Sequence, residues 1–406
     1  MSEGSDLGNA VSGLYKKLCK DEWSPVTSGI IVAFLSVLIL AWMRPWGAVG
    51  AIRNWGEWII YGCGFWDTLD LWDADTPKNA LIASGSVIGI GFITGSFLSA
   101  NLGDNFDIRI PPFLEMVKAV IAGLLMGVGA AFAGGCNVGG FYNAIGNLSA
   151  NGFSMWLGLV LGVVLGLKYI YWEMEHITWG SGGAKTIEFP VFLRRILAIV
   201  AIGGLVCGAY KYADMDAYDG MLSGILLIAA GLGYTMQRGR WCMVQGFREP
   251  HMTGNCEMAK GVIVSILLLS IGIAVIKYTE LRPVVHYVRG TFGWGGVFGG
   301  FLFGLGAMFA GGCGTGTLWR VGEGQVKLWI VVPFFGVSNA IMGALIKDWE
   351  WEATADAPSA FLGKWIYMPD TFLGYGGTLA LIAAAMGLWY LVVTWNEKSN
   401  KLIVEM

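Results

Sequence analysis

Charge is what this sequence has least of. Only 14% of its 406 residues are Asp, Glu, Lys or Arg, where soluble domains carry about 25%. That is too little polar surface to clothe a water-soluble core of this size, so a soluble enzyme is not expected. Histidine is nearly absent: His176, His251 and His286 are the three present. The seven cysteines (19, 63, 136, 207, 242, 256 and 313) form no Cys-x-x-Cys pair. A haem or metal centre would find few ligands, and no cofactor is expected. The glycine-rich stretches lack the Lys-Ser/Thr of a phosphate-binding loop, so ATP-driven pumping by this chain alone is not expected either. With a formal net charge of −3 and no basic stripe or arm, a nucleic-acid partner is not expected. Nor does a small-residue cleavage site follow the polar lead-in 1–26, which holds Lys16, Lys17 and Lys20. The first apolar run is therefore expected to stay as an anchor.

What the chain does have is apolar length. It is 55% hydrophobic, with 62 Gly and 19 Trp, a composition suited to close helix packing and interfacial aromatic belts. A membrane span needs about 20 apolar residues. Ten segments qualify, near 27–43, 80–100, 113–133, 153–172, 194–212, 219–236, 257–277, 294–311, 327–347 and 371–395. Alternating these spans gathers most loop Lys and Arg, including Arg109, Arg194, Arg195, Arg240, Arg248 and Arg320, on one side. Arg282, Arg289 and a few others fall opposite, beside Asp67, Asp70, Asp73 and Asp75. The positive-inside rule then puts both termini in the cytoplasm of an inner (plasma) membrane.

A repeat organises the chain. Gly127-Val128-Gly129-Ala130-Ala131-Phe132-Ala133-Gly134-Gly135-Cys136 aligns with Gly304-Leu305-Gly306-Ala307-Met308-Phe309-Ala310-Gly311-Gly312-Cys313 at an offset of 177 residues. Eight of these ten positions are identical, and the shared Phe and Cys argue for duplication rather than glycine bias. More loosely, Tyr61-Gly62-Cys63-Gly64 precedes Cys136 much as Gly239-Arg240-Trp241-Cys242 precedes Cys313. The expected division is a lead-in at 1–26, a first half at 27–213, a second half at 214–395 and a tail at 396–406. Five spans per half is an odd number, so the second half should be inverted in the membrane. The fold expected is an all-α polytopic bundle with short re-entrant cysteine-containing segments.

These breaks suit a permeation path. Paired glycines weaken a helix, and non-helical backbone at membrane depth survives only where protein buries it or where it lines a cavity. Inversion would bring Cys136 and Cys313 together from opposite faces. Gly134, Gly135, Asn137, Gly311, Gly312 and Thr315 would supply loop backbone and polar groups to compensate an anion, whose burial otherwise costs tens of kcal/mol in the Born limit. A thiol is a soft, uncharged, weakly polar group, suited to a substrate with a polarisable sulfur or selenium atom. Cys242 stands among Arg238, Arg240 and Arg248; Arg240, Arg248 and Arg320 could draw an anion to the cytoplasmic mouth. Cys63 is a further pathway position to be tested. Cys207 is read as packing and Cys256 as a helix-entry residue. Glu115 and Lys118 read as an i, i+3 pair, and Glu323 and Gln325 as structural.

The duplicated Gly-x-Gly-Ala-x-Phe-Ala-Gly-Gly-Cys motif resembles the YeeE/YedE family of sulfur-transport membrane proteins. So do Gly239-Arg240-Trp241-Cys242-Met243-Val244-Gln245-Gly246-Phe247-Arg248-Glu249 and Trp319-Arg320-Val321-Gly322-Glu323-Gly324-Gln325. The stretch from Arg238 to Lys327 looks most like the YedE branch, which is linked to selenium metabolism. The resemblance implies an hourglass-shaped inverted repeat in which thiosulfate passes cysteines through transient S–H···S hydrogen bonds. By motif position, Cys136 and Cys313 match the central cysteines. It also implies a soluble sulfur carrier of the TusA type as a partner. Selenite as cargo, or a membrane-embedded sulfurtransferase forming a persulfide on Cys242 or Cys313, are the alternatives.

Overall fold

The computed structural model describes residues 3–177, 182–281, 290–351, 358–359 and 361–404. His286, Arg282 and Arg289, and most of the acidic stretch after Asp348, lie outside the described residues. The described residues are mostly helical. A lead-in helix α1 (Glu3–Tyr15) precedes α2 (Pro25–Trp42), α3 (Val49–Gly62), the single turn α4 (Trp66–Leu69), α5 (Ser84–Leu102) and α6 (Phe113–Phe132). A π-helical turn (Asn137–Tyr142) and the short α7 (Asn143–Gly146) then lead to α8 (Asn151–His176) and α9 (Val191–Ala213). After the turn α10 (Ala217–Gly220) come α11 (Leu222–Arg238), α12 (Met243–Met252), α13 (Glu257–Tyr278), α14 (Trp294–Ala310), α15 (Gly314–Glu323), α16 (Val326–Asp348) and α17 (Gly374–Ser399). A two-stranded antiparallel pair, β1 (Asp107–Ile110) with β2 (Lys185–Glu188), lies in the loops.

Among the described residues, ten helical segments are long and apolar enough to cross a membrane, and they coincide with the ten runs expected from hydropathy. Local chemistry sets their ends. Ser24 caps α2, its hydroxyl accepting from the Thr27 amide, and Pro25 occupies the first helical position, where no N–H is needed. Glu115 and Lys118 do form the expected ion pair, and Lys118 also meets Glu173 on α8 at 2.7 Å.

Packing repeats in pairs. α5 lies along α11 as α13 lies along α2; α6 lies along α16 as α14 lies along α8; and α9 rests on α5 as α17 rests on α13. Each statement becomes its partner when the first five spans are exchanged for the second five. Small residues allow the close approach that replaces the hydrophobic effect inside a bilayer. On α8, a Cβ at Gly158 or Gly162 would stand 2.0 or 2.2 Å from the carbonyl oxygens of Val297 and Phe301 on α14. The backbones touch there, and a side chain has no place.

Opposite ends of the bundle can be told apart from named contacts. Lys327 and Leu328 begin α16 beside Glu22 and Arg240, whereas Gly343 and Ile346 near its other end face Val49 and Gly50. Glu22, ahead of α2, lies at the first of these faces. Glu22 pairs with Arg240 at 3.4 Å, and Val404 donates its amide to the His251 carbonyl at the end of α12.

Candidate functional site

The two Gly-Gly-Cys breaks end antiparallel helices, α6 and α14. Each opens with a glycine in the left-handed region, Gly134 at φ 71° and Gly311 at φ 75°, which turns the chain back into the bundle. The returning segments bring the thiols together. Cys136 and Cys313 are fully buried and Cys242 nearly so. Cys242 Sγ donates to Cys313 Sγ across 3.3 Å. Cys313 Sγ also meets Thr315 Oγ1 at 3.4 Å and accepts from the Gly316 amide, so the thiol caps α15. The breaks are tied across the repeat: Asn137 Oδ1 accepts from the Gly314 amide at 3.1 Å. A Cβ on Gly314 would stand 3.2 Å from Cys136 Sγ, which puts Cys136 beside the other break.

Two cavities reach the break glycines from opposite ends. One, of about 390 Å³, is lined by Gly134 and Gly135 together with Val49, Gly50, Arg53 and Asn339. The other, of about 450 Å³, is lined by Gly311 with Arg240, Arg248, Trp319, Arg320 and Lys327. The second is the cationic one. Arg240 pairs with Glu323 at 2.7 Å and Lys327 with Glu115. Among the described residues, neither Arg248 nor Arg320 has a carboxylate within 4 Å. Arg320 instead donates to the Gly311 carbonyl and lies 4.8 Å from the ring centre of Trp319. Concentrated positive charge in a low-dielectric funnel raises the local concentration of anions.

Some of the buried donors without partners lie in and around these segments. Among the described residues, Asn137 Nδ2, Trp241 Nε1, Trp319 Nε1, Thr317 Oγ1 and Arg248 Nε make no hydrogen bond. Buried polar groups are normally paired, and each such exception calls for an explanation. Four of the five are N–H donors, the groups an anion shedding its water would use. No group of three His, Cys, Asp or Glu among the described residues could hold a metal ion.

The structure brings together Cys136, Cys242, Cys313, Asn137, Thr315 and the four break glycines. Arg240, Arg248 and Arg320 line one cavity. Cys63 does not join the three buried thiols: it caps the end of α3 and is exposed. The first-half counterpart of Trp241-Cys242 is Trp46-Gly47. Both dipeptides sit just ahead of a short helix, α3 or α12. Gly47 faces Gly139 as Cys242 faces Gly316, and those two glycines are partners at the 177-residue offset. Arg53 and Arg248, each six residues further on, line the two cavities in turn. Cys207 is exposed on α9 rather than packed, and Cys256 begins α13, donating to the Val393 carbonyl. Sequence reasoning passed over Gly47, Arg53, Trp241 and Trp319. The one available signal was the Trp shared by Pro45-Trp46-Gly47 and Arg240-Trp241-Cys242.

The family model described as sulphur transport matches residues 6–165 and 238–405. The probable transporter YedE of Escherichia coli (strain K12) is 26% identical over 394 residues, covering 93% of each chain. YedE of Salmonella typhimurium is 27% identical over the same share. The thiosulfate transporter TsuA of Escherichia coli is 41% identical over 123 residues, which is 30% of this chain and 34% of that protein. With both halves matched by the family model, the chain belongs to the sulphur-transport family as a multi-pass membrane protein.

Proposed function

We propose that this protein carries a small sulfur-containing anion, thiosulfate first among them, through the constriction where Cys136, Cys242 and Cys313 meet. The observation that carries the reading is the convergence of three buried thiols between two cavities that open at opposite ends of the bundle. An oxyanion leaving water loses its hydration, and the unpartnered N–H groups of Asn137, Trp241 and Trp319 replace part of it. Thiols in line offer weak S–H donors to a polarisable terminal sulfur and leave no charged group to trap the ion. Arg240, Arg248 and Arg320 collect the anion at one mouth. In this reading that mouth faces the cytoplasm of an inner membrane, where both chain ends also lie, and a TusA-like carrier meets the anion there.

The test is uptake of labelled thiosulfate into proteoliposomes. Cys136→Ala or Cys313→Ala should abolish uptake while the protein still elutes as a folded species in detergent. Unchanged flux in both variants overturns the proposal. Competition by selenite in the same assay distinguishes a selenium cargo. Intact mass after exposure to thiosulfate should show no persulfide adduct, the mark of a sulfurtransferase.

A further inference from the structure

Gly47 and Gly139 are both buried, yet nothing in the protein requires either to be glycine. Neither lies in the left-handed region of backbone space. A Cβ on Gly47 would meet nothing nearer than Gly139 Cα at 4.0 Å, and a Cβ on Gly139 would meet nothing within 4 Å. Buried glycines that serve helix packing look different: a Cβ at Gly56 or Gly95 would stand 2.1 or 1.9 Å from backbone atoms of the facing helix. The other half makes the contrast sharper. A Cβ on Gly316 would meet Cys242 Sγ at 3.2 Å and Cys313 Sγ at 3.3 Å. The space that the Cys242 thiol fills in one half is therefore open in the other.

We propose that this space between Gly47 and Gly139, beside Cys136, is where the anion rests in the constriction, and that the two glycines set the size of anion admitted. The inference rests on the reading that an anion passes the meeting point of the breaks. Two further observations point to a ligand there. Asn137, fully buried and two residues from Gly139 on the same turn, has its Nδ2 donor unpartnered. The cavity of about 390 Å³ has Val49, Gly50, Gly134 and Gly135 in its lining, so it comes within two residues of both Gly47 and Cys136. On this proposal, an anion on the Arg53 side of the Cys242–Cys313 contact has the Asn137 amide and the Cys136 thiol as its partners. The site takes a small oxyanion with one polarisable terminal atom. Oxygens suit the Asn137 amide, and the soft atom suits Cys136.

The experiment uses the full chain in proteoliposomes with radiolabelled thiosulfate as the probe. Gly47→Ala and Gly139→Ala are each expected to lower uptake roughly tenfold or more. Their unfolding midpoints in detergent should stay within about 4 °C of the parent, because the added methyl meets no protein atom. Gly203→Ala, at an exposed position of α9 with nothing within 4 Å of its Cβ, should change neither. Cys136→Ala in the same series separates the two ideas. Parental uptake in both glycine variants, with uptake lost in Cys136→Ala, overturns the glycine site and leaves the pathway reading standing. Parental uptake in all three overturns both. Loss in the glycine variants with Cys136→Ala still active keeps the site and removes the thiol from it. A midpoint lowered beyond that margin in both glycine variants marks a packing requirement and overturns the inference.

Discussion

The two re-entrant segments share a backbone plan and differ in what fills it. In the second half, Cys242 and Cys313 touch, and the cavity beyond them carries Arg240, Arg248, Arg320 and Lys327. In the first half, Gly47 stands in the place of Cys242, Cys136 is the lone thiol, and Arg53 is the cation in the cavity lining. The ends of the segments differ too. α15 finishes at Glu323, fully buried, paired with Arg240 at 2.7 Å and near Arg109 at 3.7 Å. The matching position of the first half is Gly146, against which Leu269 packs. One segment is pinned by charge and closed by sulfur; the other is pinned by apolar contact and left open. Duplication supplied two equivalent frames, and divergence of a few side chains gave each end of the pathway its own chemistry.

The comparison can be broken at its charged end first. Glu323→Gln removes the carboxylate that Arg240 and Arg109 share. Losing one partner of a buried pair costs about 3–5 kcal/mol, but both arginines are about one-third exposed, so about 2 kcal/mol is the expected loss. Thermal unfolding in detergent should show it as a midpoint several degrees lower. An unchanged midpoint would mean that charge does not pin this segment.

A smaller effect is expected at the mouth. Arg248→Gln removes a guanidinium that has no carboxylate partner, so folding should hold while KM for thiosulfate rises several-fold. Added salt should weaken uptake by the parent more than by the variant, since screening replaces what the substitution removed. Equal salt sensitivity in the two proteins would argue that Arg248 does not collect the anion.

The smallest effect belongs to Arg53→Gln. Arg53 is already paired with Glu57 at 2.9 Å, so its field toward an anion is partly cancelled. KM should change less than for Arg248→Gln when uptake from each side is compared in oriented vesicles. A larger change than at Arg248 would reverse the assignment of the collecting mouth.

Much of this architecture is legible in the amino-acid order. Each span shows as an apolar run because a bilayer demands length and hydropathy whatever the neighbours are. The pairing of Cys136 with Cys313 shows as a repeat because eight of ten residues around it were retained. Cys63 misled for a physical reason. Its spacing to Cys136 is close to that from Cys242 to Cys313, but the first half carries a longer connection between α3 and α5, including the turn α4. Residue count therefore placed the counterpart one helix too late. Asn137 is marked by its place after the Gly-Gly-Cys break, but Trp241 and Trp319 are not marked in the sequence; their unpartnered donors exist only once burial removes water from them.

Amino-acid order is enough to show a duplicated helical membrane protein with two glycine-broken, cysteine-bearing segments, because hydropathy and repetition are properties of one dimension. It takes the packed fold to set Gly47, not Cys63, opposite Gly139 as Cys242 stands opposite Gly316, and to leave open space at Gly139. Those facts depend on which backbones approach across helices far apart in the chain. Close packing, not spacing along the chain, settles that.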